Sequence, residues 1–171
     1  MLTAAFILAC VVLWLKSAYF TALPLLPFVP FIALASLKKT LDSALLLAAL
    51  SGLILDLLSS DPFGIHALAS CLTLLALQRM RKLFSSENFN QFGVYSALVS
   101  AVFTLIHFLL LFLFDRRLPF CGLWWIADWT LFPLADALYA IGCFYGPFLL
   151  FCTIRKHWIV FWLKKKTLSQ T

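Results

Sequence analysis

Apolar residues form long runs along this chain, and short polar breaks separate them. A run of roughly 20 apolar residues can cross a bilayer as a helix, and continuous runs without strict alternation argue against a β-barrel. The pattern predicts an all-α polytopic membrane protein, a compact bundle of about six transmembrane helices in a single domain of residues 1–171. The predicted spans are residues 2–20, 24–37, 41–58, 64–78, 93–114 and 133–154, followed by a basic amphipathic tail at 155–171.

The first two predicted spans have alternative interpretations. Residues 2–20 could form a cleaved signal peptide, but no basic region precedes the run and no clear cleavage site follows, which favours an uncleaved helix. The run 24–37 contains Pro24, Pro27 and Pro30 near its start and is too short to cross a core of roughly 30 Å at 1.5 Å per residue. It is either a short kinked helix that crosses a thinned bilayer or a re-entrant segment.

The last span is expected to begin at Pro133, because proline suits the first turn of a helix. The Trp-rich residues 122–132 before it are interpreted as a segment lying at the level of the lipid headgroups. Gly146-Pro147 should kink the span.

The run 41–58 carries an acid, Asp56, deep within apolar sequence. A carboxylate in that position costs about 2.5–3.5 kcal/mol on insertion into the bilayer, so Asp56 should face protein and have a partner. Small residues such as Ala48 and Gly52 share its helical face, which would let another helix approach closely. Asp61-Pro62-Phe63-Gly64 then breaks the helix, since the residue before a proline disfavours helix and glycine permits a turn.

This stretch resembles the signature of the MreD family, the integral-membrane member of the bacterial rod-shape system. The resemblance rests on Gly52, Asp56, Pro62-x-Gly64 and His66-Ala67-Leu68, in that order. The chain length, the hydropathy profile and the aromatic last span with its basic ending are also similar to the family. Ser59-Ser60 stand where the family often has glycine before the turn.

The resemblance implies a non-enzymatic scaffold of the cell-elongation machinery, without a cofactor, in the bacterial cytoplasmic (inner) membrane. It would bind an MreC-like bitopic membrane protein and help couple MreB filaments to peptidoglycan synthases. The family also implies an architecture similar to the substrate-binding subunits of energy-coupling-factor transporters. The candidate partner-binding residues are Gly52, Asp56, Ser59, Ser60, Pro62, Gly64 and His66.

Composition and charge agree with a membrane protein. With 64% hydrophobic residues, 12% charged residues and a mean hydropathy of +1.02, the chain cannot form a soluble domain. The net charge of +6 is spread over the edges of apolar runs, as the positive-inside rule describes, and not over a basic face that could bind nucleic acid. The candidate residues for the anionic membrane surface are Arg79, Arg81, Lys82, Lys164, Lys165 and Lys166.

The orientation follows from the same charges. With six crossings, ten of the 13 lysines and arginines fall on one side, which places the C-terminus in the cytoplasm and the Asp61 turn outside. The side of the N-terminus stays open, because it depends on whether residues 24–37 cross.

No catalytic or metal-binding motif is present in the sequence, and the five cysteines have neither metal-ligand nor disulfide spacing. His66 and Asp56 flank the same turn and could meet in a hydrogen bond. His66 is interpreted as a turn or interface histidine, with a proton-relay or ligand role as the alternative. His107 is expected to form a helix–helix hydrogen bond, with a role in transport as the alternative. Asp136 is expected to form an inter-helix contact and Asp128 an interfacial cap.

Three function classes remain open at this point. The alternative to the scaffold is a vitamin-type substrate-binding subunit of a membrane transporter, and an enzyme of lipid chemistry comes third. A transporter should bring polar residues from several spans into one pocket. Few polar residues lie within the predicted spans, which favours the scaffold. They are Asp56, His66, His107, Asp136 and a few serines and threonines.

Overall fold

The computed structural model describes residues 2–19, 25–59, 61–84, 88–114 and 124–146. This part of the chain is helical, without strands, which confirms the predicted all-α class. Its helices are α1 (Leu2–Tyr19), α2 (Val29–Lys38), α3 (Leu41–Leu58), α4 (Ile65–Ala76), α5 (Phe89–Leu113) and α6 (Trp124–Tyr139). A 3₁₀ helix (Met80–Leu83) follows α4, and a π-helical segment (Ala140–Tyr145) continues α6. Among these helices, α1, α3 and α5 are long and apolar enough to cross a membrane.

Helix α2 lies at the centre of the described helices, in contact with α1, α3, α5 and α6. Its ten residues extend about 15 Å, half of a bilayer core. The helix begins five residues later than the run 24–37 suggested, and Pro30 lies in its first turn, where a missing N–H leaves no bond unmade. Most of the helix is buried, including Phe31, Ile32 and Ala33. Its apolar sequence therefore packs against protein and not against lipid.

A cavity of about 700 Å³ opens between α1 and α3. The first residues of α1 line it together with residues at the start of α3, so the two helices begin at the same end of the bundle. Its walls are mostly apolar and comprise Leu2, Thr3, Phe6, Ile7, Phe31, Lys39, Ser43, Leu46, Leu47 and Leu50.

Helices α3 and α4 form a closely packed hairpin. The bounds of α3 are those predicted, and the turn after it ends at Gly64, whose φ of +97° lies in the region that glycine adopts without strain. Helix α4 has 12 residues and ends at Ala76, two residues before the end of the predicted span.

The C-terminal helices differ most from prediction. Helix α5 begins at Phe89, inside the polar stretch expected to connect the spans, and not at Gly93. The expectation that Pro133 starts the last helix was wrong: α6 begins at Trp124 and Pro133 lies inside it. The segment 122–132 is apolar enough to be helical, and membrane helices tolerate an internal proline because neighbouring groups satisfy the freed carbonyl. Pro147 and the tail 155–171 lie outside the described residues.

Candidate functional site

Asp56 caps the start of α4 from the neighbouring helix α3. Its side chain is buried; Oδ1 accepts a hydrogen bond from the His66 backbone N–H at 2.9 Å and Oδ2 one from that of Ala67 at 3.2 Å. The first N–H groups of a helix have no partner within the helix, and together they carry a partial positive charge that a carboxylate stabilises. The prediction that Asp56 faces protein and has a partner is confirmed.

The His66 side chain meets the same carboxylate. Its Nδ1 lies 2.9 Å from Asp56 Oδ1, which confirms that the residues flanking the turn pair with each other. This contact fixes the orientation of the imidazole, and its other nitrogen, Nε2, lies 3.9 Å from Asp61 Oδ2.

Gly52 permits the close approach of α4. A Cβ atom at this position would lie 2.4 Å from Ala67 Cα and 2.7 Å from the His66 carbonyl oxygen, well inside van der Waals contact. The helix that the small face of α3 accommodates is thus α4 of the same chain. Gly52 and Asp56 act inside the hairpin.

Three other predicted partner-binding residues, Ser59, Pro62 and Gly64, shape the turn between α3 and α4. Ser59 Oγ accepts a hydrogen bond from the Asp61 backbone N–H at 3.0 Å. The Pro62 carbonyl accepts one from the Ile65 N–H at 3.3 Å, and Gly64 supplies the left-handed backbone. Ser60 lies outside the described residues.

The structure also brings His107 of α5 to this turn, which the sequence did not indicate. His107 Nε2 lies 3.4 Å from Asp61 Oδ2, and the His66 and His107 rings have centroids 4.5 Å apart. The His107 ring stacks on Phe103 with an interplanar angle of 6°. His107 was expected to make a helix–helix hydrogen bond, but its buried Nε2 makes no well-formed one. We call Asp61, His66 and His107 the His–Asp cluster.

A second buried carboxylate, Asp136 of α6, joins three parts of the chain. Its Oδ1 accepts a hydrogen bond from the Leu26 backbone N–H at 2.9 Å, and its Oδ2 accepts one from the Ser100 hydroxyl of α5. Lys16 Nζ donates to the adjacent Leu25 carbonyl at 2.6 Å. The expected inter-helix contact of Asp136 is confirmed, and it serves in addition the irregular backbone before α2, which sequence patterns did not reveal.

The basic candidates for the membrane surface are only partly described. Arg79, Arg81 and Lys82 lie in and beside the 3₁₀ helix after α4, at the opposite end of α4 from the Asp61 turn. Lys164–Lys166 and the Asp128 side chain lie outside the described part of the structure.

Over the residues that the structure describes, these observations define an all-helical protein, three of whose helices are long and apolar enough to cross a membrane. Compared with protein-family models, with curated proteins and with solved structures, the chain shows no match to any of them.

Proposed function

We propose that the chain is a non-enzymatic scaffold that holds a single-span partner protein in the bacterial cytoplasmic membrane. The observation that carries this proposal is that both buried aspartates and a buried serine of α2 form hydrogen bonds between helices. Asp56 caps α4, Asp136 bonds to Ser100 of α5, and Ser36 of α2 bonds to the Tyr95 hydroxyl of α5 at 2.9 Å. Such contacts hold a bundle together, and they occupy these polar groups, which are then not free to bind a solute.

The cavity between α1 and α3 favours the same conclusion. A transporter subunit for a polar vitamin needs several polar groups converging on its pocket. The walls of this cavity are mostly leucine, isoleucine and phenylalanine side chains, with Thr3, Lys39 and Ser43 as the polar exceptions. The geometry therefore supports a scaffold better than a vitamin-type transporter.

The resemblance of the Gly52–Leu68 stretch to the MreD family supplies the finer proposal. The partner would be an MreC-like bitopic protein, and the complex would help couple MreB filaments to peptidoglycan synthases. Six crossings would place both chain ends in the cytoplasm and the Asp61 turn outside, in agreement with the distribution of lysine and arginine.

We propose that the partner binds at the outer surface of the α3–α4 hairpin. Gly52 and Asp56 hold α4 in place, and they would act on the partner by shaping this surface. Beside the turn, Leu57, Leu58 and Phe63 are strongly exposed, Phe63 to 70%. Association within lipid depends on close packing, and an aromatic side chain at the tip of the hairpin is a suitable anchor.

The test is recovery of an MreC-like partner with the tagged protein in mild detergent. Phe63→Ser should reduce recovery of the partner about tenfold, as expected for loss of an aromatic side chain that becomes buried in the complex. Leu83→Ser is the matched control, because Leu83 is similarly exposed, at 74%, but lies in the 3₁₀ helix that follows α4, away from the Asp61 turn. Equal recovery with both variants would contradict the proposed surface. Saturable binding of a vitamin-sized solute by the purified protein would favour the transporter instead.

A further inference from the structure

We propose that the His–Asp cluster is a binding site for a divalent transition metal ion, with Zn²⁺ as the best-suited ion. The site lies where the end of α3, the start of α4 and the last turns of α5 meet. Two imidazoles and one carboxylate are a ligand set that zinc prefers in proteins. The inference goes beyond the scaffold function and does not depend on it.

The spacing of the ligand atoms fits a metal ion. One nitrogen or oxygen atom from each of Asp61, His66 and His107 lies within 4.8 Å of the others. Around a tetrahedral zinc ion with bonds of 2.0–2.1 Å, neighbouring ligand atoms lie about 3.3 Å apart. The separation between His107 Nε2 and Asp61 Oδ2 is 3.4 Å, that between His66 Nε2 and Asp61 Oδ2 is 3.9 Å, and no separation within the cluster exceeds 4.8 Å. Side-chain rotation would bring the ligand atoms closer together on binding. Both separations are longer than those of good hydrogen bonds.

Asp56 supplies the support that metal-binding histidines usually have. Such histidines donate their second ring N–H to a carboxylate or a carbonyl, which fixes the tautomer and the ring orientation. Here His66 Nδ1 contacts Asp56 Oδ1, and the backbone N–H groups of α4 hold that carboxylate in turn. With the Nδ1 proton directed to Asp56, the lone pair of Nε2 faces the cluster.

His107 presents a buried atom that a metal ion would satisfy. Its Nε2 is shielded from solvent and makes no well-formed hydrogen bond, an arrangement that proteins rarely keep without a reason. The stacked Phe103 ring holds the imidazole in place.

The cluster is reachable from the end of the bundle. The Asp61 side chain is 30% exposed, while those of His66 and His107 are 12% and 17% exposed. Two nearly buried imidazoles thus form the base of the site and a carboxylate its mouth. Three protein ligands leave one tetrahedral position for water. A bound ion would fasten the α3–α4 turn to α5.

The test uses the full-length chain, purified in detergent and treated with a chelator. Titration with ZnCl₂, followed by calorimetry, should show one ion per chain, and CoCl₂ should give the visible absorption bands of tetrahedral cobalt. Asp61→Asn and His107→Gln should each weaken Zn²⁺ binding by at least about tenfold, the lower bound for loss of even an outer-shell partner. His157→Ala, which removes the third histidine of the chain, is the control and should bind as the wild type does.

Zn²⁺ binding of equal strength in the wild type and in Asp61→Asn would overturn the proposal, as would the absence of stoichiometric binding. Asp61→Asn keeps the size of a partly exposed turn residue, so it should fold; gel filtration and the helical circular dichroism signal check this. If His107→Gln fails to fold, Asp61→Asn decides alone. Partner recovery with Phe63→Ser tests the scaffold separately, so the two proposals can fail independently.

Discussion

Among single residues, the two buried aspartates perform the same task at two places. Each accepts a hydrogen bond from backbone N–H groups where helical structure is interrupted: Asp56 at the start of α4, and Asp136 at Leu26 before α2. An N–H group without a partner in the bilayer costs several kcal/mol. The acids therefore stabilise breaks that the apolar helices could not otherwise contain.

Asp56→Leu should lower the free energy of unfolding by about 1–3 kcal/mol, because it leaves the His66 and Ala67 N–H groups without an acceptor. The amount of protein in the membrane should stay unchanged, since the substitution also removes the cost of inserting a carboxylate. Denaturation in mixed micelles measures the first quantity, and quantification of the membrane fraction the second. Asp42→Leu is the control, because Asp42 is an exposed acid in the first turn of α3. Equal stability of Asp56→Leu and the wild type would refute the capping role.

The sequence allows the Asp56 contact to be predicted but not the His–Asp cluster. A lone acid in an apolar run requires a partner, and His66 stands just beyond the turn. Asp61 and His107 lie on different elements, and no spacing rule connects them. Their proximity depends on how α4 packs against α5, which apolar periodicity does not determine.

At the scale of the elements, the α3–α4 hairpin depends on the absence of a side chain at one position. Gly52 faces the backbone of Ala67 at a distance that leaves no room for a methyl group. A side chain at this position would force the two helix backbones apart, and this shift would cost stability because it breaks other contacts between the helices.

Gly52→Ala should therefore destabilise the protein by about 1–3 kcal/mol, and Gly52→Leu should impair folding more than Leu53→Ala. The matched control is Gly142→Ala, because a Cβ atom there meets nothing within 4 Å. The melting temperature in detergent compares the variants. A Gly52→Ala protein as stable as Gly142→Ala would show that α4 can move away from α3 at little cost.

The bounds of the elements could be predicted where polar residues mark both ends. Helix α3 is such a case, with Lys38-Lys39 before it and Asp61-Pro62 after it. The start of α6 could not be predicted from the sequence. The preference of proline for the first helical turn comes mainly from helices in water, whereas Pro133 lies inside an apolar helix. The central position of α2 arises from four neighbouring helices at once.

At the scale of the whole molecule, α1, α3 and α5 are long enough to cross a membrane, and the short helix α2 is packed among the others. The start of α1 lies at the same end as the start of α3. The segment from Leu25 to Lys38 therefore returns the chain to the end from which α1 started, which the proposed six crossings require.

Reporter fusions should confirm this topology. A fusion after Ser59 should behave as extracytoplasmic and one after Phe84 as cytoplasmic, because the basic residues cluster on the Phe84 side. A fusion preceding Met1 should also behave as cytoplasmic. A cytoplasmic signal at Ser59 would contradict the outward-pointing hairpin.

The hydrogen bond between Leu26 and Asp136 can form only late in the synthesis of the chain. The two residues are 110 positions apart, so the ribosome completes the acceptor long after the donor has reached the membrane. Until α6 is made, the Leu26 N–H needs another acceptor, such as water. The backbone before α2 thus gains its native acceptor only after α6 is made, and an unfinished chain carries a polar group without that acceptor.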